Sequence, residues 1–262
     1  MKVFKFYLYL LSLYLFCSSL SFAAYDFNGS SQFLYVDAAS AVAQSTNVTV
    51  CAWINPDTIT GTRGIVDRDE STDADRVFQF RINASNLEAI CFVNDSTLAT
   101  VASTGGISTG VWQFVAFTFD GSNINVFINS GTSAGIISLS GNLSADAAGI
   151  TIGARSRVNS SPSGTDYFDG DIAELAQWSR VLSEAELNGL AGNNSPLFYP
   201  TGLQWYAKMI DDTLDLVGSM TFTAYGSPTV TSHPTITYPS GTGAINLIEN
   251  YFGKLVEGGL VH

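Results

Sequence analysis

Positive charge and histidine are both scarce in this chain of 262 residues. It carries 11 lysines and arginines against 23 aspartates and glutamates, for a formal net charge of −12, and only two histidines. A field of this sign repels nucleic acid and anionic lipid, so neither is expected as a partner. His233 and His262 belong to no nucleophile–base arrangement, which argues against histidine-assisted catalysis and, with so few cysteines, against a zinc site.

Cysteine is the next scarce residue, with three in the chain. Cys17 lies in the N-terminal apolar segment, whereas Cys51 and Cys91 each lie in an apolar strand pattern. An exported protein can oxidise such a pair to a disulfide. The alternative is that both are small buried side chains, and the sequence leaves the two interpretations open.

Long apolar runs are absent except at the N-terminus. Two lysines precede the apolar stretch 6–16, and Ser21-Phe22-Ala23 places small residues at the two positions that a signal peptidase reads. We therefore predict a signal peptide over residues 1–23, with cleavage before Ala24. The alternative is an uncleaved anchor, since the run is long enough to span a bilayer. Cleavage predicts a secreted, extracellular or cell-surface protein without membrane contact of its own.

Short alternating strands separated by turn residues fill most of the chain. One predicted helix follows them, because Ser183 and Glu186 form a capping box and Gly192 is a typical stop. This pattern predicts an all-β fold, a two-sheet antiparallel β-sandwich or jelly roll with one short helix after the last core strand. The predicted core strands are 33–36, 48–54, 76–82, 87–93, 112–119, 123–128, 150–154 and 167–178.

Four motifs, in this order, resemble the laminin-G-like, concanavalin A-like jelly-roll family. They are YDFNGSS at 25–31, VTVCAWINP at 48–56, WQFVAFTFDG at 112–121 and FDGDIAEL at 168–175. The resemblance covers residues 24–192 and implies a concanavalin A-like jelly-roll domain that binds carbohydrate or protein, often with calcium. Many members carry an aspartate where Ala173 stands here, so any role of that carboxylate is absent. The same fold also hosts glycosidases, so fold alone does not select the function.

Beyond the predicted domain, residues 193–240 hold most of the prolines and short β-like pieces, among them 203–207 and 220–225. We predict an extension that packs on the sandwich. The tail 241–262 has apolar residues at helical spacing, which predicts docking on a protein partner or self-association. More loosely, the segments SPL at 195–197 and HPTITYP at 233–239 are similar to the tails of jelly-roll proteins often encoded in phage genomes, which implies a virion component as an alternative.

An acidic loop at residues 67–75 is the predicted metal site. Calcium takes about six to eight oxygen ligands, and clustered carboxylates with hydroxyls can supply them. The alternative is a solvated loop neutralised by Arg68 and Arg76. The predicted calcium ligands are Asp67, Asp69, Asp73 and Asp75.

Aromatic residues near predicted loops are the candidates for sugar binding. A tyrosine or tryptophan at a loop rim offers an apolar ring face and a polar edge, which suits a sugar ring. The alternative for each is packing in the core. The predicted ligand-binding residues are Asp166, Tyr167, Phe168, Tyr199 and Trp205.

Carboxylates offer the only catalytic option in the sequence. Asp169, Asp171 and Glu174 form a D-x-D-x-x-E pattern similar to the motif of family 16 glycoside hydrolases. A retaining pair must lie about 5–5.5 Å apart, whereas an offset of five along a strand puts Glu174 on the other face unless a bulge intervenes. We therefore predict an exported, non-catalytic module that binds carbohydrate or surface glycoconjugates, with calcium as an assisting ion. The alternatives are a structural or adhesion component of a virion or cell surface and, less favoured, a glycoside hydrolase.

Overall fold

The structure, a computed structural model, describes residues 23–37, 46–69, 76–94, 97–144, 148–156, 163–209, 214–218 and 220–239. The predicted signal peptide, apart from Ala23, and the predicted apolar tail lie outside these residues. The described strands are β1 Ala23–Asn28, β2 Phe33–Val36, β3 Val48–Pro56, β4 Thr62–Arg68, β5 Phe78–Asn83, β6 Asn86–Val93, β7 Thr97–Gly106, β8 Gln113–Phe119, β9 Asn123–Ile128, β10 Ser133–Ser138, β11 Ile150–Ile152, β12 Arg155–Ser156, β13 Gly164–Thr165, β14 Asp169–Trp178, β15 Leu203–Ala207, β16 Thr223–Tyr225 and β17 Thr229–Ser232.

These strands form two antiparallel sheets. The first sheet has the order β10-β9-β8-β3-β14-β1-β17, with β15 added on β14. The second sheet has the order β16-β2-β11-β4-β5-β6-β7, and β12 with β13 makes a separate two-stranded ribbon. This arrangement confirms the predicted antiparallel sandwich of the concanavalin A-like type.

The main core fills the space between the two sheets. Phe78 and Phe80 of β5 pack on Phe117 of β8, with ring centroids 5.3 and 5.2 Å apart. Strand β8 is buried along its whole length, because β3 and β9 flank it and each of its faces is covered. Its two-sided apolar pattern is typical of a central strand of this kind.

A second apolar layer covers the outer face of the first sheet. The helix α1, Glu184–Ala191, buries Leu187 and Leu190 there, beside Trp178 of β14. The predicted capping box is present, since the Ser183 hydroxyl accepts from the Glu186 N–H and the Glu186 carboxylate accepts from the Ser183 N–H. Among the described residues, no helix is long and apolar enough to cross a membrane.

The C-terminal segment supplies strands to both sheets. Strand β15 pairs with β14, and β17 pairs with β1 at the edge of the first sheet. Strand β16 pairs with β2 in the second sheet. The two sheets are therefore joined at this side of the sandwich by one continuous stretch of late sequence.

Cys51 and Cys91 are both free and buried, so they do not form a disulfide. Cys51 belongs to the apolar layer outside the first sheet, whereas Cys91 belongs to the core between the sheets. Burial raises the pKa of both thiols far above the ordinary value, which makes them small apolar side chains.

Candidate functional site

A recess of about 190 Å³ opens on the outer face of the second sheet. Its polar lining comes from Asp67 on β4, Gln79 and Arg81 on β5, and Arg155 and Asp166 near the β12–β13 ribbon. Side chains alternate across a strand, so Gln79 and Arg81 of β5, which alternate with core residues, face outward. The recess is therefore built by the same alternation that builds the core.

A row of hydrogen bonds holds the polar side chains of this face in place. The Gln79 Nε2 donates to Asp69 Oδ2 at 2.8 Å, and the Arg81 Nη1 donates to Gln79 Oε1 at 3.2 Å. The Arg81 Nε donates to Glu88 Oε2 at 2.9 Å, and the Asn83 Nδ2 donates to Glu88 Oε1 at 3.0 Å. The polar groups of the face are thus preorganised across β5 and β6.

Asp69 is the buried anchor of this network. Its side chain has no exposed surface, and its carboxylate lies between two guanidinium groups. The Arg155 Nη2 contacts Oδ2 at 2.8 Å, and the Arg76 Nε contacts Oδ1 at 3.0 Å. The charge of Asp69 is therefore already neutralised by arginine.

The other predicted calcium ligands are placed as follows. Asp67 is buried in the wall of the recess, and Asp73 and Asp75 lie outside the described residues. Within the described part of the chain, no group of three or more carboxylate, histidine or cysteine side chains could hold a metal ion. A calcium site that includes the whole loop stays a prediction.

A group of aromatic rings lies beside the recess on the same face. Phe33 and Tyr225 stack in parallel with centroids 4.6 Å apart, and Tyr167 lies 6.3 Å from Phe33. Tyr167 and Tyr225 keep part of their surface exposed, and Tyr35 is buried beneath them. Because Tyr167 directly follows Asp166 of the recess, the polar and aromatic features meet at this point. We call these two features together the outer-face site.

The structure separates the five predicted ligand-binding residues. Asp166 and Tyr167 lie at the outer-face site. Phe168 and Trp205 are 0% exposed and belong to the main core, so their rings cannot face a ligand, which corrects the prediction for both. Tyr199 lies on the outer face of the first sheet, where its carbonyl accepts from the Trp178 Nε1 at 2.7 Å.

Sequence reasoning missed most of the outer-face site. The alternation of polar and apolar residues in β5 could have indicated that Gln79 and Arg81 face outward. No local pattern points to Arg155, Phe33 or Tyr225, because they reach the site only through long-range pairing.

The carboxylates of the D-x-D-x-x-E pattern do not form an open catalytic pair. A bulge in β14 lies between Ala173 and Ala176, and Glu174 has a left-handed φ of 53° there. Glu174 is buried and accepts from the hydroxyls of Tyr206 and Tyr238. Arg180, the next arginine in the sequence, pairs with Glu186 instead, with its Nη2 2.6 Å from Glu186 Oε1.

The comparisons with known proteins agree with this architecture. The sequence profile of the concanavalin A-like lectin/glucanases superfamily, laminin-G type, matches residues 28–188, which is more than half of the chain. No curated protein sequence matches the chain.

Two solved structures are similar in fold, and a third matches a smaller part of the chain. A heptameric SAP-like pentraxin from Limulus polyphemus is 18% identical, with a TM-score of 0.62 over 84% of this chain and 99% of that one. A candidate carbohydrate-binding protein from Bacteroides ovatus is 19% identical, with a TM-score of 0.59 over 82% and 61%. The sialidase module CBM40 of Ruminococcus gnavus with α2,3-sialyllactose is 16% identical, with a TM-score of 0.49 over 57% and 84%.

Proposed function

Because the chain belongs to the concanavalin A-like lectin/glucanases superfamily, we propose that it is an exported, non-catalytic module that binds carbohydrate at the outer-face site. The observation that carries the proposal is the meeting of a preorganised polar recess with partly exposed tyrosines on one face. A sugar ring presents hydroxyls on its edge and apolar C–H groups on its face. The polar recess can bind the hydroxyl groups, and the tyrosine rings can pack against the C–H groups.

The size of the recess indicates how a ligand would lie. Its volume of about 190 Å³ includes open solvent, so the recess is a shallow surface depression and not an enclosed small-molecule pocket. A sugar unit can therefore lie across the mouth of the recess, with its polar edge towards the recess, while a neighbouring unit lies along Tyr167. This geometry suits a chain or a branched surface glycan better than an isolated small metabolite.

The charges of the site favour a neutral sugar over an anionic one. Arg81 and Arg155 are already paired with Glu88 and Asp69, and Asp166 adds a carboxylate at the rim. The chain as a whole carries a net charge of −12. An anionic ligand would meet paired arginines and a negative field, so the hydroxyl groups of a neutral saccharide fit better.

Catalysis is not part of the proposal. In the D-x-D-x-x-E pattern, two tyrosines cover Glu174. This contact lies on the outer face of the first sheet, away from the outer-face site. Calcium assistance through the loop 67–75 is retained as a separate arm of the test.

The experiment is a glycan-array screen followed by calorimetric titration, each performed in calcium and in chelator. Tyr167→Ala is expected to weaken binding about tenfold or more, because burying a ring against a ligand contributes about 1.5–3 kcal/mol. Tyr199→Ala is the matched control, since it removes the same side chain from the opposite face and should leave Kd unchanged. Both variants must keep the wild-type melting temperature to within a few degrees.

The possible results separate the alternatives. If no glycan binds in either buffer, the carbohydrate proposal is wrong, and a structural or adhesion role becomes the better explanation. If Tyr199→Ala abolishes binding and Tyr167→Ala does not, the ligand binds at the first sheet instead. A loss of binding in chelator would support the calcium arm.

A further inference from the structure

A buried carboxylate lies where the C-terminal segment crosses the first sheet. Glu174 sits in the β14 bulge with a left-handed φ of 53°, and only 2% of its surface is exposed. Such a backbone conformation is uncommon for a residue other than glycine. The bulge turns this side chain out of the regular alternation and towards residues 229–239, which we call the strap.

The strap is attached by a small number of contacts. Strand β17 pairs with β1 at the sheet edge, and Ile236 is buried in the outer apolar layer. The Thr237 N–H donates to the Asn193 carbonyl at 2.8 Å, and the Thr237 carbonyl accepts from the Ser195 N–H at 2.9 Å. The strap is therefore held by the edge pairing of β17, by hydrogen bonds to Asp26, Asn193 and Ser195, by the buried Ile236 and by the contact with Glu174.

Two tyrosines close the carboxylate between the sheet and the strap. The Tyr206 hydroxyl of β15 donates to Glu174 Oε2, and the Tyr238 hydroxyl of the strap donates to Glu174 Oε1 at 2.8 Å. The Lys208 Nζ lies 4.2 Å from the centroid of the Tyr238 ring. Both hydroxyl groups and the ammonium group are thus supplied by the late segment that follows β14.

The groups around Glu174 shift its pKa in opposite directions, and the neighbouring titratable groups have shifted pKa values of their own. Burial raises the pKa of Glu174 from 4.5 to about 7, although the two tyrosine hydrogen bonds and Lys208 favour its anion. Cys51 on β3 has its pKa raised by burial and then by Glu174, so it remains a neutral thiol. Burial lowers the pKa of His233 on the strap, and Lys208 lowers it further.

We propose that Glu174 is a pH-sensitive latch for the strap. When its carboxyl group is neutral, it donates to one tyrosine oxygen and accepts from the other hydroxyl, so the contact is buried at little cost. When it ionises, the closed state holds a buried charge away from water. Opening the strap lets water hydrate the Glu174 carboxylate, which stabilises the open state. The strap is thus bound most firmly on the acid side of neutrality and opens more often as the pH rises.

The sign follows from linkage. A carboxyl group whose pKa is higher in the closed state than in the open state stabilises the closed state fully below its open-state value. That stability is lost as the pH rises from 4.5 to about 7. His233 opposes the effect, since a histidine with a lowered pKa destabilises the closed state as the pH falls through its ordinary value of 6.5.

Glu174→Gln isolates the latch from His233. Glutamine keeps the shape and one acceptor of the neutral carboxyl group, and both proteins keep the histidine, so its contribution cancels in their ratio. The readout is hydrogen exchange of the Thr237 N–H, corrected for the intrinsic exchange rate at each pH. Between about pH 5 and about pH 8, opening of the wild-type strap relative to Glu174→Gln is expected to rise by on the order of 100-fold.

Two further variants keep the test decisive. Asp169→Asn removes another carboxylate of β14 that does not contact Tyr238, and it should leave the pH dependence at Thr237 as in the wild type. Tyr238→Phe removes a hydrogen bond to the anion, so the midpoint of the pH profile should move upward. If wild type and Glu174→Gln exchange in parallel across the pH range, or if Asp169→Asn abolishes the dependence, the latch does not exist.

Discussion

Asp69→Asn is the substitution that tests how the outer-face site is held together. The carboxylate of Asp69 is the shared partner of Arg76 and Arg155, and it also accepts from Gln79. Asparagine retains one oxygen, but it carries no charge and turns an N–H donor towards one of the arginines. The variant therefore leaves two guanidinium groups largely buried without an opposite charge.

The magnitude can be estimated from burial. Breaking a buried ion pair by removing one partner costs about 3–5 kcal/mol. The side chains of Arg76 and Arg155 are 15% and 21% exposed, so water screens part of the loss and the lower end applies. We expect Asp69→Asn to lower the free energy of unfolding by about 3 kcal/mol.

Urea unfolding followed by tryptophan fluorescence measures this loss. Glu186→Gln is the matched control, because it neutralises the partner of Arg180 in a pair whose side chains are 29% and 23% exposed, and glutamine preserves the capping box. The control should lose about 1 kcal/mol or less. If Asp69→Asn loses no more than this control, the buried network does not anchor the site, and the argument from preorganisation is wrong.

Two local features of the fold give independent predictions. Gly170→Ala should cost about 3 kcal/mol in a denaturant titration, because Gly170 has a φ of 121° and a Cβ there would lie 2.3 Å from the Asn55 carbonyl. Gly61→Ala has a φ of 71° with nothing within 4 Å, so it should cost only about 1 kcal/mol, and equal losses would contradict the packing argument. Ser183→Ala should cost about 1 kcal/mol through the lost N-cap of α1, and an unchanged unfolding midpoint would show that this cap contributes little.

Local patterns predicted the well-packed elements closely. The bounds of β2, β9 and β15 agree with the alternation at 33–36, 123–128 and 203–207. The capping box of α1 was equally readable, because its two hydrogen bonds join residues three apart. Such features depend on neighbours in sequence, so the sequence is sufficient to predict them.

The same reasoning did not predict the exposed edge strands. Strand β7 has many exposed positions, and β10 lies at the edge of the first sheet with Ile136 64% exposed. Neither shows the clear apolar alternation of a half-buried strand, because pairing with one neighbour is enough to keep an edge strand in place. The prediction for Phe168 and Trp205 was wrong in the opposite direction. Their positions beside loops suggested exposure, but their rings fill the core.

By itself, the sequence determined the antiparallel sandwich and its late helix, because alternation, turn chemistry and capping are local properties, and its ordered motifs carried the resemblance to the family. Only the tertiary structure decided where the polar groups meet. Arg155 reaches Asp69 across 86 positions of sequence, and the β14 bulge turns Glu174 towards the tyrosines of a segment that follows it. Both contacts depend on strand register, and a shift of one residue would send each side chain to the opposite face.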